Sequence, residues 1–332
     1  MFVFILVRIA GVERELHVVT GAFGFTGRYI TRRLLAEGRR VLTLTGQPEQ
    51  ASPFGREVSV APFSFDNPAR LASTLSGAAV LYNTYWVRFD WGGESYERAV
   101  ENTRTLFAAA REAGVRRVVH VSITNPSEDS PFGYFRGKAL LERELRESGV
   151  PHAILRPAVV FGPEDILINN IAWIVRRFPF FAVPGNGRYR LQPIYVDDLA
   201  ALAVENGSRR DDSTLDAVGP ETFGFEELVA LIARSVGRTP RVLHVSPSTA
   251  YALTRVLGRL VGDVVLTRAE IDGLMADLLV SSGEPTGAAR LSDWLRANAA
   301  TVGRHYASEL ARHYRRSARE GGSSARNETR SA

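Results

Sequence analysis

Thr20-Gly21-Ala22-Phe23-Gly24-Phe25-Thr26-Gly27 stands between a short apolar run, Leu16-His17-Val18-Val19, and helical spacing over residues 26–37 that Gly38 stops. Glycines at 21, 24 and 27 let the backbone turn tightly, approach a pyrophosphate and pack the next helix close to its strand. The first amides of that helix then face the phosphates. The spacing is G-x-x-G-x-x-G, whereas the commonest dinucleotide fingerprint is G-x-G-x-x-G. Three glycines alone are a weak signal. Placed between the first strand and the first helix of a long alternation, they decide the fold.

Outward from this loop, extended runs at 41–45, 58–65, 79–83, 117–122 and 152–155 alternate with helical spacing at 96–113 and 134–147. Such alternation predicts a parallel sheet covered by helices. The expected fold class is α/β: a Rossmann-type doubly wound parallel sheet with a smaller, mainly helical C-terminal substrate region. Residues 14–163 are the expected NAD(P)-binding core, and 164–316 a substrate-side region with strands returning to that core. In the latter, helices are expected at 166–177, 198–205, 225–236, 249–261, 268–279 and 291–310, with an extended piece at 191–196. Residues 1–13 read as an N-terminal extension, whose apolar start is shorter than the ~20 residues of a membrane span. Residues 317–332, rich in Ser, Arg, Gly and Glu, read as a disordered tail.

With 332 residues, 45% hydrophobic and 23% charged, the composition is that of an ordinary globular protein. No cysteine is present, which removes disulfides, thiolate metal sites and a cysteine nucleophile, and fits a cytoplasmic protein. The six histidines lack ligand spacing, so no metal is expected. The net charge of +5 is spread along the chain, which disfavours nucleic acid as a partner. The expected partner is a small-molecule substrate, with no integral membrane segment and with homo-oligomers an open option.

Of 41 basic side chains only one, Lys138, is lysine, and it stands in Tyr134-Phe135-Arg136-Gly137-Lys138. An ammonium is a compact charge able to release its proton, whereas a guanidinium is planar and effectively always charged. A tyrosine and a lysine at i and i+4 share one face of a helix.

With the glycine loop and this pair both in place, the chain resembles a short-chain dehydrogenase/reductase of the extended or atypical, epimerase/dehydratase-like type. Further matches are Val118-Val119-His120-Val121-Ser122, Arg156-Pro157 with Phe161-Gly162-Pro163, and Ile194-Tyr195-Val196-Asp197-Asp198-Leu199-Ala200. Gly24-Phe25-Thr26-Gly27-Arg28-Tyr29 resembles the branch that holds NmrA-like regulators and the NADPH-binding accessory subunit of respiratory complex I. The resemblance implies that Tyr134 exchanges the substrate proton, and that Lys138 binds the nicotinamide ribose and lowers the phenol pKa. An opposite charge nearby lowers a phenol from its free value of ~10 by ~1–3 units. Thr124, or else Ser122, would hold the substrate oxygen. The implied cofactor set is Gly21, Phe23, Gly24, Phe25, Thr26, Gly27, Arg28, Asp66, Asn83, Thr84, Lys138 and Pro157.

Strand two ends Leu44-Thr45-Gly46-Gln47 with no acid before Glu49. An acid there would accept the ribose hydroxyl of NAD and repel the 2′-phosphate of NADP, so NADP is expected, with NAD the alternative. Arg28 is a candidate phosphate partner or a solvated helix residue. Asp66 is either the adenine-side acid or the cap of a helix beginning near Pro68. Asp197-Asp198 read as helix cap and loop brace. The aromatics of Tyr82-Asn83-Thr84-Tyr85-Trp86 fall at the carboxyl edge of the sheet, and Asn169-Asn170, Trp173 and Arg176-Arg177 line the pocket or face a packed helix. Two departures stand out. The family's Asn-Val-x-Gly-Thr reads Ala99-Val100-Glu101-Asn102-Thr103, and Tyr134 follows Thr124 by only ten residues, which weakens the case for a nucleotide sugar. The expected function is an NAD(P)-dependent oxidoreductase or epimerase/dehydratase. The alternative is a non-catalytic NADPH-binding regulator or an assembly partner of a redox complex.

Overall fold

The computed structural model describes residues 14–313, so the expectations for 1–13 and for the tail from 317 lie outside the described residues. β1 (Leu16–Thr20) runs through the glycine loop into α1 (Phe25–Ala36). There follow β2 (Arg40–Thr45), β3 (Val58–Pro62), α2 (Pro68–Leu75), β4 (Ala78–Asn83), α3 (Tyr96–Glu112), β5 (Arg117–Val121), α4 (Gly133–Glu147) and β6 (His152–Pro157). The second half contains β7 (Val159–Phe161), α5 (Leu167–Arg177), β8 (Phe180–Pro184), β9 (Arg190–Leu191), β10 (Pro193–Tyr195), α6 (Val196–Ser208) and β11 (Ser213–Ala217). Then come β12 (Phe223–Gly224), α7 (Phe225–Ser235), β13 (Arg241–Val245), α8 (Pro247–Val261), α9 (Arg268–Met275), α10 (Leu291–Ala297) and α11 (Glu309–His313).

The main sheet has seven strands in the order β11-β6-β5-β4-β1-β2-β3, every pairing parallel. All six residues of β4 are buried, as a strand covered on both faces requires. The neighbours Val18 and Val19 in β1 enter different cores, because successive side chains leave opposite faces of a strand. Val19 packs with Ile30 and Leu34 of α1 and Leu199 of α6, and Val18 with Leu71 of α2, Leu106 of α3 and Leu141 of α4. A third core joins α5, α7 and α10 through Ile168, Leu228 and Leu295. The chain runs from β1 outward to β3 and then crosses back to β4, so the carboxyl ends of β1 and β4 flank a crevice, where such sheets bind ligands.

The glycine stops at 38, 114 and 149 lie in the left-handed region, at φ 73°, 67° and 73°, a conformation that ends a helix cheaply only at glycine. The second half departs more from expectation. The 291–310 pattern ends as helix at Ala297 and resumes only at Glu309, and Gly303 in between has φ 68°. The 268–279 pattern stops at Met275, just before Asp277 at φ 58°. The 58–65 run leaves the sheet after Pro62, where Ser64 takes φ 48°. The 191–196 piece is split by Gln192, whose amide binds the Gly219 carbonyl at 3.0 Å and the Ser281 amide at 3.0 Å.

Candidate active site

Gly21 makes the turn out of β1 at φ 66°, and its amide donates to the Leu44 carbonyl of β2 at 2.8 Å. The Ala22 amide donates to Thr43 Oγ1 at 3.0 Å, and the Gly24 amide to the Gly21 carbonyl at 2.9 Å. A Cβ on Gly27 would stand 2.3 Å from that carbonyl oxygen, so only glycine lets α1 start this close to the loop. The N-cap is Gly24, with no side-chain cap and no acidic residue in the first turn. The amides of Phe25, Thr26 and Gly27 therefore have no acceptor within the helix and point at an anion's position. Thr20 Oγ1 accepts from the Thr84 and Tyr85 amides at 2.7 and 2.9 Å, and Thr84 Oγ1 donates to the Thr20 carbonyl at 2.5 Å. These bonds fasten the ends of β1 and β4 across the crevice. The cradle fits the diphosphate of a dinucleotide.

A cleft of about 2700 Å³ opens from this cradle along the carboxyl edge of the sheet. Asn67, not Asp66, caps α2: its Oδ1 accepts from the Arg70 amide at 3.0 Å. Asp66 is exposed at the cleft wall. Beside it Phe63 stacks on Phe65 with centroids 4.8 Å apart, and Tyr85 meets Phe63 edge-on at 5.0 Å. Asn102 donates to the Tyr85 hydroxyl at 2.8 Å, so the departure from the family's glycine serves to orient that ring. Arg28 donates to the Phe23 carbonyl at 3.0 Å and lies 3.5 Å from the Glu164 carboxylate. It stays on the loop side and is not directed at the end of β2.

Tyr134, in the first turn of α4, sits edge-on to Trp86 and Tyr96 at 5.6 and 6.0 Å, and those two rings stack on each other at 6.1 Å. One turn on, Lys138 is 2% exposed. Its Nζ donates to the Val121 carbonyl at 2.8 Å and lies 4.4 Å from the centre of the Trp86 ring. Gly137 makes room for this: a Cβ there would come within 2.8 Å of the indole. Trp86 thus faces the cleft, and the ammonium is sealed beneath it.

Burial lowers the Lys138 ammonium to about 7, opposed by the Glu142 carboxylate one turn along. Burial also raises the Tyr134 phenol, assisted by Glu270 and Glu309 and opposed by Arg88. This corrects the expectation that Lys138 lowers the phenol pKa. The ammonium is spent on the Val121 carbonyl and the Trp86 face, while two carboxylates are nearer in effect.

The Lys138 shift has a consequence for stability. An unfolded lysine keeps its proton up to about pH 10.4. From pH 7 upward the unfolded chain holds a proton that the folded one has released, so stability rises with pH. Between about pH 7 and about pH 9.5 the gain is on the order of 3 kcal/mol. Urea midpoints should rise over this window in the parent protein and stay flat in Lys138→Met. An equal slope in the variant would remove Lys138 as the source.

Several nominated residues spend their polar groups within the fold, and of those that follow only Asn170 lines the cleft. Ser122 Oγ donates to Glu142 at 2.6 Å and Thr124 Oγ1 to the Leu278 carbonyl at 2.9 Å, so neither hydroxyl is aimed at a substrate. Asn83 is fully buried, accepting from Thr20 and from the Tyr85 amide and pairing with His120 Nδ1 at 3.0 Å. Pro157 is buried with its carbonyl accepting from the Thr124 amide, and Ala158 forms the wall in its place. Asp197 grips Arg33 of α1 through two bonds of 2.9 and 2.8 Å. Asp198 accepts from the amides of Ala288 and Ala289 at 2.8 Å each, so it braces a loop and caps nothing. On α5, Asn170 exchanges bonds with Ala307, and Arg176 and Arg177 bind carbonyls of the 299–304 turn. Asn169 bonds around Asp165, and Trp173 meets Tyr306 edge-on at 5.3 Å.

Sequence reasoning missed a polar group beside Tyr134. Arg88 Nε donates to Glu270 at 2.6 Å, its Nη1 lies 3.6 Å from Glu309, and its carbonyl accepts from the Tyr96 hydroxyl at 2.8 Å. The three charged residues come from distant segments, and no local spacing marks them. Among the described residues no cluster could hold a metal ion, and no helix is long and apolar enough to cross a membrane.

A family model described as NAD(P)H-binding matches residues 21–165. Subunit 9 of the NADH dehydrogenase [ubiquinone] 1 alpha subcomplex, mitochondrial, from Arabidopsis thaliana is 27% identical over 284 residues, covering 79% of this chain and 70% of that protein. A ceramide reductase from Caulobacter vibrioides is 29% identical over 194 residues, covering 58% of this chain and 60% of that one. The crystal structure of the Citrobacter sp. triphenylmethane reductase complexed with NADP(H) superposes with a TM-score of 0.70 at 18% identity, over 85% of this chain and 99% of that one. The structural likeness is one of fold.

Proposed function

From an NAD(P)-binding chain of the extended short-chain dehydrogenase/reductase type, related to the complex I accessory subunit, we propose an NADPH-dependent carbonyl reductase with Tyr134 as its proton donor. The observation that carries this is the place of the Tyr134 phenol, on the wall of the same cleft that the glycine loop lines. A phenol protonated at neutral pH holds the proton that a reduction consumes, and the alkoxide left by hydride transfer is the stronger base that takes it. The glycine loop and the first turn of α1 would hold the diphosphate, and the Phe63, Phe65 and Tyr85 rings with Asp66 the adenosine end. When bound, the reduced nicotinamide supplies hydride to the carbonyl carbon. Tyr134 gives its proton to the carbonyl oxygen and recovers one from water. Glu270 and Glu309 hold the phenol in its protonated form, and Trp86 and Tyr96 fix its ring. The absence of an acid at the end of β2 supports NADP over NAD. We place this activity in the cytoplasm, with its pool of reduced cofactor.

NADPH fluorescence should change on mixing with the protein, and NADPH should be consumed with one member of a panel of aldehydes and ketones. Tyr134→Phe should cut turnover by about 10²–10⁴-fold with cofactor affinity nearly unchanged. Unchanged turnover would take Tyr134 out of the chemistry. A second reading, a cofactor-holding subunit without turnover, is favoured by one observation: Lys138 lies beneath Trp86 while Ser122 and Thr124 bind elsewhere. NADPH binding with no turnover across the panel selects it, and the complex I subunits among the relatives then suggest a redox assembly as partner.

A further inference from the structure

Helix α8 is poorly packed for its length. Of its fifteen residues only Ala250 and Gly258 are buried. Leu253, Val256 and Leu260 recur at i, i+3 and i+7 on one stripe, where a helix of this kind normally meets its core. Here they are 48%, 54% and 77% exposed, and Phe178, Phe180 and Leu243 beside them are 42%, 48% and 47% exposed. These are six of the eight large apolar side chains left exposed among the described residues, and all six line the cleft that begins at the glycine loop. Apolar residues scattered singly over a surface need no explanation, but a contiguous set in a cleft does.

The surface is continuous with the candidate active site. Helix α9 packs against α8 and carries Glu270, which bears on the Tyr134 phenol; a Cβ on its Gly273 would stand 3.7 Å from the Phe135 ring next to Tyr134. Ile271 and Leu274 of α9 extend the apolar wall between the two. Capacity points the same way: small-molecule sites usually enclose about 300–1,000 Å³, and this cleft measures about 2700 Å³. A dinucleotide leaves room for a second large ligand, and the free part has an apolar lining.

We propose that the α8 end of the cleft binds the long hydrocarbon chain of an amphipathic substrate, with its polar end toward Tyr134. This rests on Tyr134 as the proton donor of the cofactor cleft and names the class of substrate that reaches it. A hydrocarbon chain covers Leu253, Val256 and Leu260 without requiring polar partners from α8, and one end of the slot already opens on the reacting group.

The test uses the full chain and cis-parinaric acid, whose fluorescence rises in apolar surroundings. The probe should bind without NADPH, and laurate, myristate and palmitate should displace it progressively better, by about fourfold per methylene newly buried. The double variant Val256→Glu, Leu260→Glu alters two exposed side chains and should keep its thermal melt and NADPH affinity while losing at least tenfold in probe affinity. Equal probe affinity in the variant, or displacement independent of chain length, overturns the proposal. So does a wild-type dimer that the variant dissociates without change in probe binding, since the face then meets a second copy. Sedimentation with phosphatidylglycerol vesicles in the absence of monomeric probe binding overturns it in favour of a bilayer. Probe binding in a protein that binds no NADPH supports the chain site and sinks the cofactor reading, so the two fail separately.

Discussion

Gly27→Ala should weaken NADPH binding by at least a hundredfold, the largest single loss expected from any substitution in the cleft. The added methyl would lie 2.3 Å from the Gly21 carbonyl oxygen and 2.8 Å from its carbon. Both are backbone atoms, so no rotamer change relieves the contact, and either the loop or α1 must move. Movement of either turns the amides of Phe25 and Thr26 off the anion they would share, and that electrostatic grip depends on their common direction. Overpacking of this kind costs about 1–3 kcal/mol of stability, small enough for the variant to fold. Gly38→Ala is the matching control. It places a side chain at φ 73° with nothing within 4 Å, so it costs stability of about 1 kcal/mol without touching the loop. Titration of NADPH fluorescence in both variants, alongside their thermal melts, separates the effects. Parent-like affinity in Gly27→Ala would mean that the cofactor diphosphate is bound elsewhere.

Glu142→Gln should be the most destabilising isosteric change in the sheet-and-helix core, by about 3 kcal/mol, with the melting temperature lower by several degrees. Glu142 is 1% exposed and its carboxylate accepts from Ser122 at 2.6 Å, from Arg156 at 2.9 and 2.5 Å and from Arg146 at 2.8 Å. An amide keeps one acceptor oxygen and turns an NH₂ toward guanidinium donors, so at least one buried contact becomes repulsive. Breaking a buried pair usually costs about 3–5 kcal/mol. The low end applies because Arg146 and Arg156 are partly in water, with side chains 42% and 27% exposed. Glu142 is also the carboxylate that supports the Lys138 charge, so the variant should lower the lysine further and start the rise of stability with pH below neutral, without steepening it. Urea unfolding at two pH values measures both effects. A change within about 0.5 kcal/mol, the usual range for surface substitutions, would show that this cluster does not hold α4 to the sheet.

The nucleotide-binding half was legible because its signals are local. Apolar runs, helical spacing and glycine stops at 38, 114 and 149 all act within a few residues, and the left-handed φ at each stop is the reason the glycine is there. The second half hides its turns. The helical spacing from 291 continues past Ala297, but Gly303 packs against the backbone of Ala172 and the chain bends to reach it. That contact spans distant segments and leaves no periodic trace. At the site, the glycine loop and the Tyr134/Lys138 spacing could be found by counting. The directions of Ser122, Thr124 and Arg28 could not, because each is set by a partner far along the chain: Glu142, Leu278 and Glu164. Asp66 and Asn67 mark the boundary case. Asp66 reads in the sequence as adenine-side acid or helix cap, and the cap is its neighbour, one residue closer to the first turn.

Lys138 under the Trp86 ring also makes the protein a reporter on itself. It is the only side-chain amine in the sequence, and a lysine lowered to about 7 is largely unprotonated in mildly alkaline buffer. An amine-stable acyl label found on Lys138 by peptide mapping has therefore reached the space beneath the indole. The rate of that modification reports how often the lysine becomes exposed, in a protein that needs no engineered label, and its slowing by a bound nucleotide or fatty chain would locate each ligand relative to the indole.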